Sequence, residues 1–462
     1  MPTTLTNLRN QALVDYFRCE EVIGDFVLAG SLSEEAGFFK FGPDLTCFGQ
    51  SSSGVSARVE DAGLHDSSRD FAIENSMLRL PFDPEQVIDN LRCERYAPHH
   101  SVTSPKSFWR SAIRSAYYAV RPLLPVAVRR HMQRIRLRGW SKIPFPNWPV
   151  DRTVDNLMEK LLLLSLQAHG VEKIPFIWFW PAGSPGCAIV THDVEELVGR
   201  NFCSSLMDIN DSAQIKSSFQ IVPEERYPVP ESFLEQIRQR GFEVNVHDLN
   251  HDGNLYRERE TFLHRVQQIN QYGKQFRAVG FRSGALYRNL NWYDSLDFSY
   301  DLSVPNAGHL EAQQGGCCTV MPFFVGKILQ LPLTTTQDYS LFNILRSYSI
   351  DLWKKQIDLI LEKHGLVSFI IHPDYIIDKR AQQTYKLLLE YLAGLRSAGK
   401  LWLALPREVN DWWRQRRQMK IVASQGALRI EGPGSEQARI AYAVVDGDKI
   451  SYELAKSAGQ VL

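Results

Sequence analysis

From Cys187 onward, short apolar runs alternate with stretches of helical periodicity, and this alternation limits the fold more than any other feature. The predicted strands are 187–191, 217–222, 242–246, 278–281, 298–302, 328–333, 366–371 and 401–404, and the clearest helical patterns are 231–240, 260–272, 340–363 and 384–398. Such alternation favours parallel strands joined by right-handed crossovers. Seven or eight units in roughly 220 residues predict a closed or nearly closed (β/α) barrel. An open doubly wound sheet is the alternative, but no G-x-G-x-x-G follows the first strand to support a dinucleotide fold.

Smaller units are expected around this barrel. The 462 residues suffice for one large domain and one or two small ones. We expect a small N-terminal α+β unit at 1–95, a basic helical linker at 96–180, the barrel at 181–413 and an antiparallel β appendage at 414–462. The predicted fold class is therefore α/β, an irregular (β/α)7–8 barrel with an N-terminal α+β extension and a small C-terminal β appendage.

The stretch from 95 to 150 is strongly basic, although the whole chain has 52 basic and 52 acidic residues. It contains eleven Lys and Arg and no Asp or Glu, interleaved with apolar and aromatic residues. Two basic amphipathic helices interrupted at Pro122 and Pro125 fit this pattern. They are expected either to fold onto an acidic patch of the main domain or to face an anionic membrane surface or a phosphate-bearing substrate. Nucleic acid is not an expected partner.

The expected location is the cytoplasm, with peripheral contact to the inner membrane where the basic stretch meets an anionic surface. The first thirty residues lack the basic start and apolar core of a signal peptide, and no run of about 18 apolar residues occurs. The seven cysteines form no C-x-x-C pair, which favours reduced thiols.

Polar and charged residues collect where the predicted strands end. Parallel barrels carry their chemistry on this rim, because the C-terminal ends of all strands meet there. The residues are Asp193 and Glu195 after the first strand, His247 and His251 at the third, Arg282 at the fourth, Asp301 at the fifth and His372 at the seventh.

These residue types fit the hydrolysis of an amide. Two imidazoles and one carboxylate form a three-ligand metal site with an open position for water, whose lowered pKa makes it a nucleophile. A second carboxylate can take the proton of that water, and an arginine can keep this carboxylate ionised. A separate histidine can protonate the leaving amine.

The five motifs, in this order, resemble the polysaccharide deacetylase family, also called NodB-homology or carbohydrate esterase family 4. The resemblance covers roughly 187–413. It implies that Glu195, His247 and His251 bind a divalent metal, most commonly zinc, and that Asp193 is the general base. It further implies that Arg282 steadies this base, that His372 is the general acid and that Asp301 tunes His372.

The sequence departs from the family pattern at two positions. Glu195 replaces the usual aspartate, which lengthens the ligand arm by one methylene. Arg282-Ser283-Gly284 lacks the Pro-Tyr that often follows this arginine, so spacing alone assigns the oxyanion-binding amide to Ala285. His192 is expected to pack beneath the site. Asp248 and Asp252 flank the histidines and are expected to be either turn residues, which is the favoured reading, or residues that support the metal ligands.

The resemblance implies a metal-dependent hydrolase that removes an N-acetyl group from a sugar of a surface polysaccharide or its cytoplasmic precursor, with a metal-bound water as nucleophile. The expected partner is therefore an N-acetylated glycan or glycan precursor. Two alternatives stay open. One is a C–N hydrolase of a small non-sugar amide on the same fold, and the other is a non-catalytic glycan-binding or scaffold protein.

Overall fold

The computed structural model describes residues 6–52, 57, 63–97, 131–132, 134–424 and 427–455. The chain forms two compact units. The first consists of Met1–Tyr96, Arg152–Ser184 and Asp411–Leu462, and the second of Ala97–Asp151 and Pro185–Asn410. The predicted basic helices around Pro122 and Pro125 lie outside the described residues.

The described strands and helices follow in chain order. The strands are β1 (Thr6–Arg9), β2 (Asp25–Leu28), β3 (Gly37–Lys40), β4 (Thr46–Gly49), β5 (Ala72–Glu74), β6 (Met77–Leu80), β7 (Lys173–Ile177), β8 (Cys187–Val194), β9 (Ser218–Ile221), β10 (Glu243–His247), β11 (Gly280–Arg282), β12 (Tyr300–Asp301), β13 (Phe323–Val325), β14 (Ile328–Gln330), β15 (Leu366–Ile371), β16 (Trp402–Leu403), β17 (Lys420–Ser424), β18 (Ala427–Glu431), β19 (Ile440–Asp446) and β20 (Lys449–Leu454). The α-helices are α1 (Gln11–Phe17), α2 (Pro84–Arg92), α3 (Thr153–His169), α4 (Leu197–Ser212), α5 (Glu231–Gln239), α6 (Arg259–Gln275), α7 (Asp351–Leu361), α8 (Pro373–Ile376), α9 (Lys379–Ser397) and α10 (Pro406–Gln418).

The second unit is a curled α/β sheet whose strand order is β13-β14-β12-β11-β10-β9-β8-β15, with β16 also paired to β8. All of these pairs are parallel except β13–β14. Successive strands from β8 to β12 are neighbours, as in a barrel. This confirms the predicted irregular (β/α) barrel class.

Threonine hydroxyls join the two ends of the curled sheet, in place of a continuous backbone ladder. The hydroxyl of Thr334 donates to the Leu366 carbonyl and accepts from the Ser368 amide, at 2.7 and 2.9 Å. The Thr335 hydroxyl donates to the Ser368 carbonyl at 2.7 Å. Leu333, just before these threonines, packs in a buried cluster with Leu286 and Ile370.

The helix predicted at 340–363 is not continuous. The structure has a π-helix at Ser340–Ile344 and then α7, with an irregular segment between them. In that segment the Ser347 hydroxyl accepts from the Ser349 amide, and the Ser349 hydroxyl accepts from the Asp351 amide. Serine hydroxyls compete in this way with helical backbone bonding, so the periodicity extends further than the helix.

Strand β8 pairs with β9, β15 and β16, and all eight of its residues are buried. Within it, His192 contacts the Ile371 carbonyl through Nδ1 at 3.2 Å and the Asn210 amide through Nε2 at 3.0 Å. Burial lowers the pKa of His192 to about 3. The ring is therefore neutral and packed beneath the rim, as its expected packing role requires.

The first unit contains the remaining sheets. Its four-stranded sheet has the order β1-β2-β6-β5, and a second sheet joins β7 to the hairpin β19–β20. The predicted C-terminal antiparallel strands thus pair with a strand that precedes the barrel. Among the described helices, none is both long and apolar enough to cross a membrane.

Candidate metal centre

Strand register brings the predicted site residues together at the C-terminal ends of β8, β10, β11 and β15. His247 pairs directly with Arg282, and His192 pairs with Ile371, the residue before His372. Glu195, His247 and His251 each offer one ligand atom, and these atoms lie within 4.8 Å of one another. The structure therefore assembles the same three residues that the sequence assigns to a metal.

The Glu195 carboxylate lies at the middle of three imidazoles. Its Oε1 is 2.9 Å from His251 Nε2, 3.7 Å from His247 Nε2 and 3.5 Å from His372 Nε2. The side chain of Glu195 is 16% exposed, against 1% for His247 and 4% for His251. The longer glutamate side chain thus reaches the histidine pair, and the cluster is open to solvent on the side of Glu195.

The histidine nitrogens that face the site are suited to bind a divalent metal. The Nε2 atoms of His247 and His251 are buried and have no hydrogen-bond partner among the described residues. The 2.9 Å contact from His251 to Glu195 lacks hydrogen-bond geometry, so it leaves this nitrogen unsatisfied. The Nδ1 of His247 lies 3.2 Å from the Arg282 carbonyl. That contact directs a neutral Nε2 inward, which is the usual orientation for a metal-binding histidine.

Two residues hold the loop that carries His251. The Asp248 carboxylate accepts from the backbone amides of Leu249 and Gly284, at 2.7 and 3.0 Å. Arg226 donates to the Asn250 and His251 carbonyls, at 3.1 and 2.7 Å. Asp248 thus ties this loop to the next one instead of serving as a simple turn residue, and sequence reasoning missed Arg226 entirely.

Asp193 is a buried carboxylate held by arginine. Its Oδ1 lies 2.5 Å from Nη1 of Arg282, which also donates to the Thr191 hydroxyl at 2.8 Å. Burial opposes ionisation of Asp193, but the Arg282 charge outweighs it and keeps the pKa of this carboxyl below its ordinary value. The other oxygen, Oδ2, lies 3.8 Å from His247 Nε2 and so faces the metal centre.

His372 has a carboxylate partner that the sequence did not reveal. The Asp338 carboxylate lies 2.7 Å from His372 Nδ1 and accepts from the His372 backbone amide at 2.7 Å. Burial alone would lower the pKa of His372, but the Asp338 charge and its hydrogen bond raise it well above the ordinary histidine value. The Asp338 carboxylate therefore favours the protonated ring, and Nε2 is directed at the site, 3.5 Å from Glu195.

The structure gives Asp301 a different role from the one expected. Its carboxylate accepts from the amide and hydroxyl of Ser303, at 3.0 and 2.6 Å, and from the Tyr293 hydroxyl at 3.3 Å. Burial raises the pKa of Asp301 to about 6. The Ser303 hydroxyl in turn accepts from the Ser283 amide. Asp301 thus supports the loop after β11, and Asp338 is the carboxylate that contacts His372.

The loop after Arg282 has an unusual backbone. Ala285 and Leu286 are both left-handed, with φ of 52° and 53°. Non-glycine residues rarely adopt this region, and it recurs at functional sites. Asp252, by contrast, forms a paired contact with Arg265, both distances being 2.7 Å, and so fixes the end of the histidine loop to α6.

The comparisons with known proteins concern structure, since no family model and no curated protein matches the sequence. A putative polysaccharide deacetylase from Mycobacterium smegmatis is 15% identical, with a TM-score of 0.43, and the match covers 54% of this chain and 97% of that one. A probable polysaccharide deacetylase from Pseudomonas aeruginosa PAO1 is 13% identical, with a TM-score of 0.40 and coverages of 51% and 93%. The Puue allantoinase is 11% identical, with a TM-score of 0.41 and coverages of 51% and 92%. Polysaccharide deacetylases thus recur among the solved structures that match about half of this chain, at low identity.

Proposed function

We propose that this chain is a metal-dependent hydrolase that removes an N-acetyl group from a sugar of a surface polysaccharide or its precursor. One observation carries the proposal. The Glu195, His247 and His251 cluster lies between the Asp193 carboxylate, which contacts Arg282, and the His372 imidazole, which contacts Asp338. A ligand set with a base on one side and an acid on the other suits the hydrolysis of an amide better than simple metal storage.

Each protein group has a proton to hold or move. A divalent metal bound by the three ligands would supply an activated water and a positive charge for the developing oxyanion. Asp193 is ionised at neutral pH, so it can accept the proton of the attacking water. Arg282 prevents the carboxylate from turning away, through the 2.5 Å contact. His372 carries its proton on Nε2 and can donate it to the leaving amine nitrogen.

The deciding experiment measures acetate released from N-acetylglucosamine oligosaccharides by the zinc-loaded full chain. We expect release by the wild type, and a loss of at least 100-fold in Asp193→Asn and His247→Ala. His264→Ala removes an exposed histidine on α6 and is the matched control, with unchanged activity expected. Zinc content is measured in every sample, and Asp193→Asn should retain zinc whereas His247→Ala should lose it.

Product analysis, metal content and the function of the two variants separate the alternatives. Release of another carboxylate or of ammonia from small amides, with no acetate from the oligosaccharide, would favour a non-sugar C–N hydrolase. Wild-type protein without stoichiometric metal, or a biological function that survives both Asp193→Asn and His247→Ala, would favour a glycan-binding or scaffold protein.

We further propose that the basic stretch at 95–150 brings the chain to the anionic inner surface of the membrane, where a lipid-linked precursor would be presented. The support is its charge, eleven basic residues with no acidic one. Sedimentation with phosphatidylglycerol vesicles tests it, using the full chain and an Arg110→Gln, Arg114→Gln, Arg121→Gln variant. Equal binding of the two proteins would refute this proposal and leave the hydrolase assignment untouched.

A further inference from the structure

A polar groove lies between α4 and α5. Its volume is about 320 Å³, which is within the size range of small-molecule sites. It is lined by Arg200, Asn201, Ser204, Ser232, Phe233 and Gln236. Helix α4 begins two residues after the ligand Glu195, and α5 follows β9. In a (β/α) unit the helix after a strand starts near the strand's C-terminal end, so the groove opens close to the same rim.

The charge of Arg200 distinguishes this groove from the surface around it. Three neighbouring arginines are paired with carboxylates: Arg226 with Glu196 at 3.4 Å, Arg238 with Glu231 at 3.1 Å and Arg240 with Asp211 at 2.6 Å. Within the described part of the chain, the Arg200 guanidinium makes one hydrogen bond, from Nη1 to Asn201 Oδ1 at 3.1 Å, and its buried Nε has no partner. The groove therefore presents an arginine charge that no carboxylate of these elements neutralises.

Packing holds this guanidinium in place. Its central carbon lies 4.6 Å from the centre of the Phe233 ring, and Phe233 is only 7% exposed. An arginine stacked on an aromatic ring is oriented before a ligand arrives, which reduces the ordering cost of binding. The guanidinium group suits a planar or tetrahedral oxyanion, because it binds such groups through parallel hydrogen bonds.

The other lining groups suit a sugar. Ser204, Ser232, Asn201 and Gln236 are exposed, uncharged and able both to donate and to accept hydrogen bonds. Hydroxyl and amide side chains around one fixed cation match a sugar that carries a carboxylate or a phosphate. A substrate with its N-acetyl group at the metal could place a neighbouring acidic sugar unit here.

We propose that the groove between α4 and α5 is a second binding subsite, which recognises an oxyanion carried by the glycan, either a uronate carboxylate or a phosphate. The glycan part of this statement rests on the proposed deacetylase function. The anion-binding part does not, because it depends on Arg200 and its neighbours alone.

Calorimetric titration of the metal-free full chain tests the subsite, with sodium D-glucuronate, inorganic phosphate and uncharged glucose as probes. We expect millimolar binding of at least one anion, weakened by added salt, and no detectable binding of glucose. Binding of glucuronate only would assign the site to a uronate, and binding of phosphate only would assign it to a phosphate. Binding of both would assign it to oxyanions in general.

Two variants localise the binding. Arg200→Gln should weaken it at least tenfold, and Ser204→Glu, which keeps the arginine but adds a competing carboxylate, should do the same. Arg240→Gln removes a paired arginine at the other end of the same region and should leave the affinity unchanged. The proposal is overturned if neither anion binds, or if both groove variants bind as well as the wild type. Because no metal is needed, anion binding that persists while acetate release fails would count against the hydrolase and not against the groove.

Discussion

Gly284 offers a sharp test of how the two loops at the metal centre fit together. A Cβ at this position would lie 2.4 Å from Asp248 Oδ2 and 3.0 Å from His251 Cδ2. Asp248 cannot simply turn away, because its two oxygens already accept from the Leu249 and Gly284 amides. Gly284→Ala must therefore move the histidine loop away from the loop after β11.

The size of the effect follows from two contributions. Overpacking a buried contact typically costs about 1–3 kcal/mol of stability. Displacing a residue that orients a metal ligand typically weakens metal affinity about 10–100-fold. We therefore expect Gly284→Ala to bind zinc at least tenfold more weakly. We also expect its unfolding temperature to fall by a few degrees.

Zinc affinity is measured by competition with a chromogenic chelator, and unfolding by calorimetry with and without zinc. Gly394→Ala is the matched control, because no heavy atom lies within 4 Å of its added Cβ and Gly394 lies inside α9. There alanine should stabilise by about 0.5–1 kcal/mol and leave zinc binding unchanged. Adding Asp248→Ala to Gly284→Ala should relieve the overlap without restoring full affinity. Wild-type zinc affinity in Gly284→Ala would refute the reasoning.

Three further predictions concern other contacts. The Asp338 carboxylate raises the pKa of His372, and the acid form of His372 is lost as pH rises through that pKa. Asp338→Asn should therefore move the alkaline limb of the kcat/KM profile to lower pH. An unmoved limb would exclude this role for Asp338. Arg226→Met should weaken zinc binding about tenfold, because the His251 carbonyl loses its hydrogen bond, and Arg226→Lys should have an intermediate zinc affinity. Equal zinc affinities in the wild type and both variants would contradict a role of Arg226 in holding the His251 loop. Arg416 is 1% exposed and donates to backbone carbonyls of the first unit. Arg416→Met should therefore destabilise that unit by about 3 kcal/mol, measured by limited proteolysis, and leave zinc affinity unchanged. An unchanged proteolysis rate would count against this role.

The site residues at strand ends could be predicted from the sequence, because a short apolar run marks where each strand lies and ends. His247 and Arg282 each close an apolar run, and parallel pairing then makes them neighbours in space. His372 follows the apolar run of β15 in the same way. The ends of the apolar runs and a parallel strand arrangement were enough to bring these residues to one rim.

Asp338 was missed because its position depends on a segment with no such pattern. It lies 34 residues before His372, in the stretch that begins at Thr334. That stretch is held by threonine side chains and not by a regular backbone ladder, so neither strand nor helix periodicity marks it. Arg226 was missed for a related reason, since a loop arginine that binds carbonyls has no spacing rule.

The two histidines that face each other across the site show how a second contact decides a role. Both His247 and His372 commit Nδ1 to an oxygen and direct Nε2 inward. The Nδ1 partner of His247 is the uncharged Arg282 carbonyl, so Nε2 faces the site, and a metal bound there would take up the Nε2 lone pair. The partner of His372 is the Asp338 carboxylate, which stabilises the imidazolium and so puts a proton on Nε2. The metal ligand His247 and the acid His372 therefore differ in the group that accepts from Nδ1. Asp338→Asn replaces the carboxylate with an amide and should make His372 resemble His247.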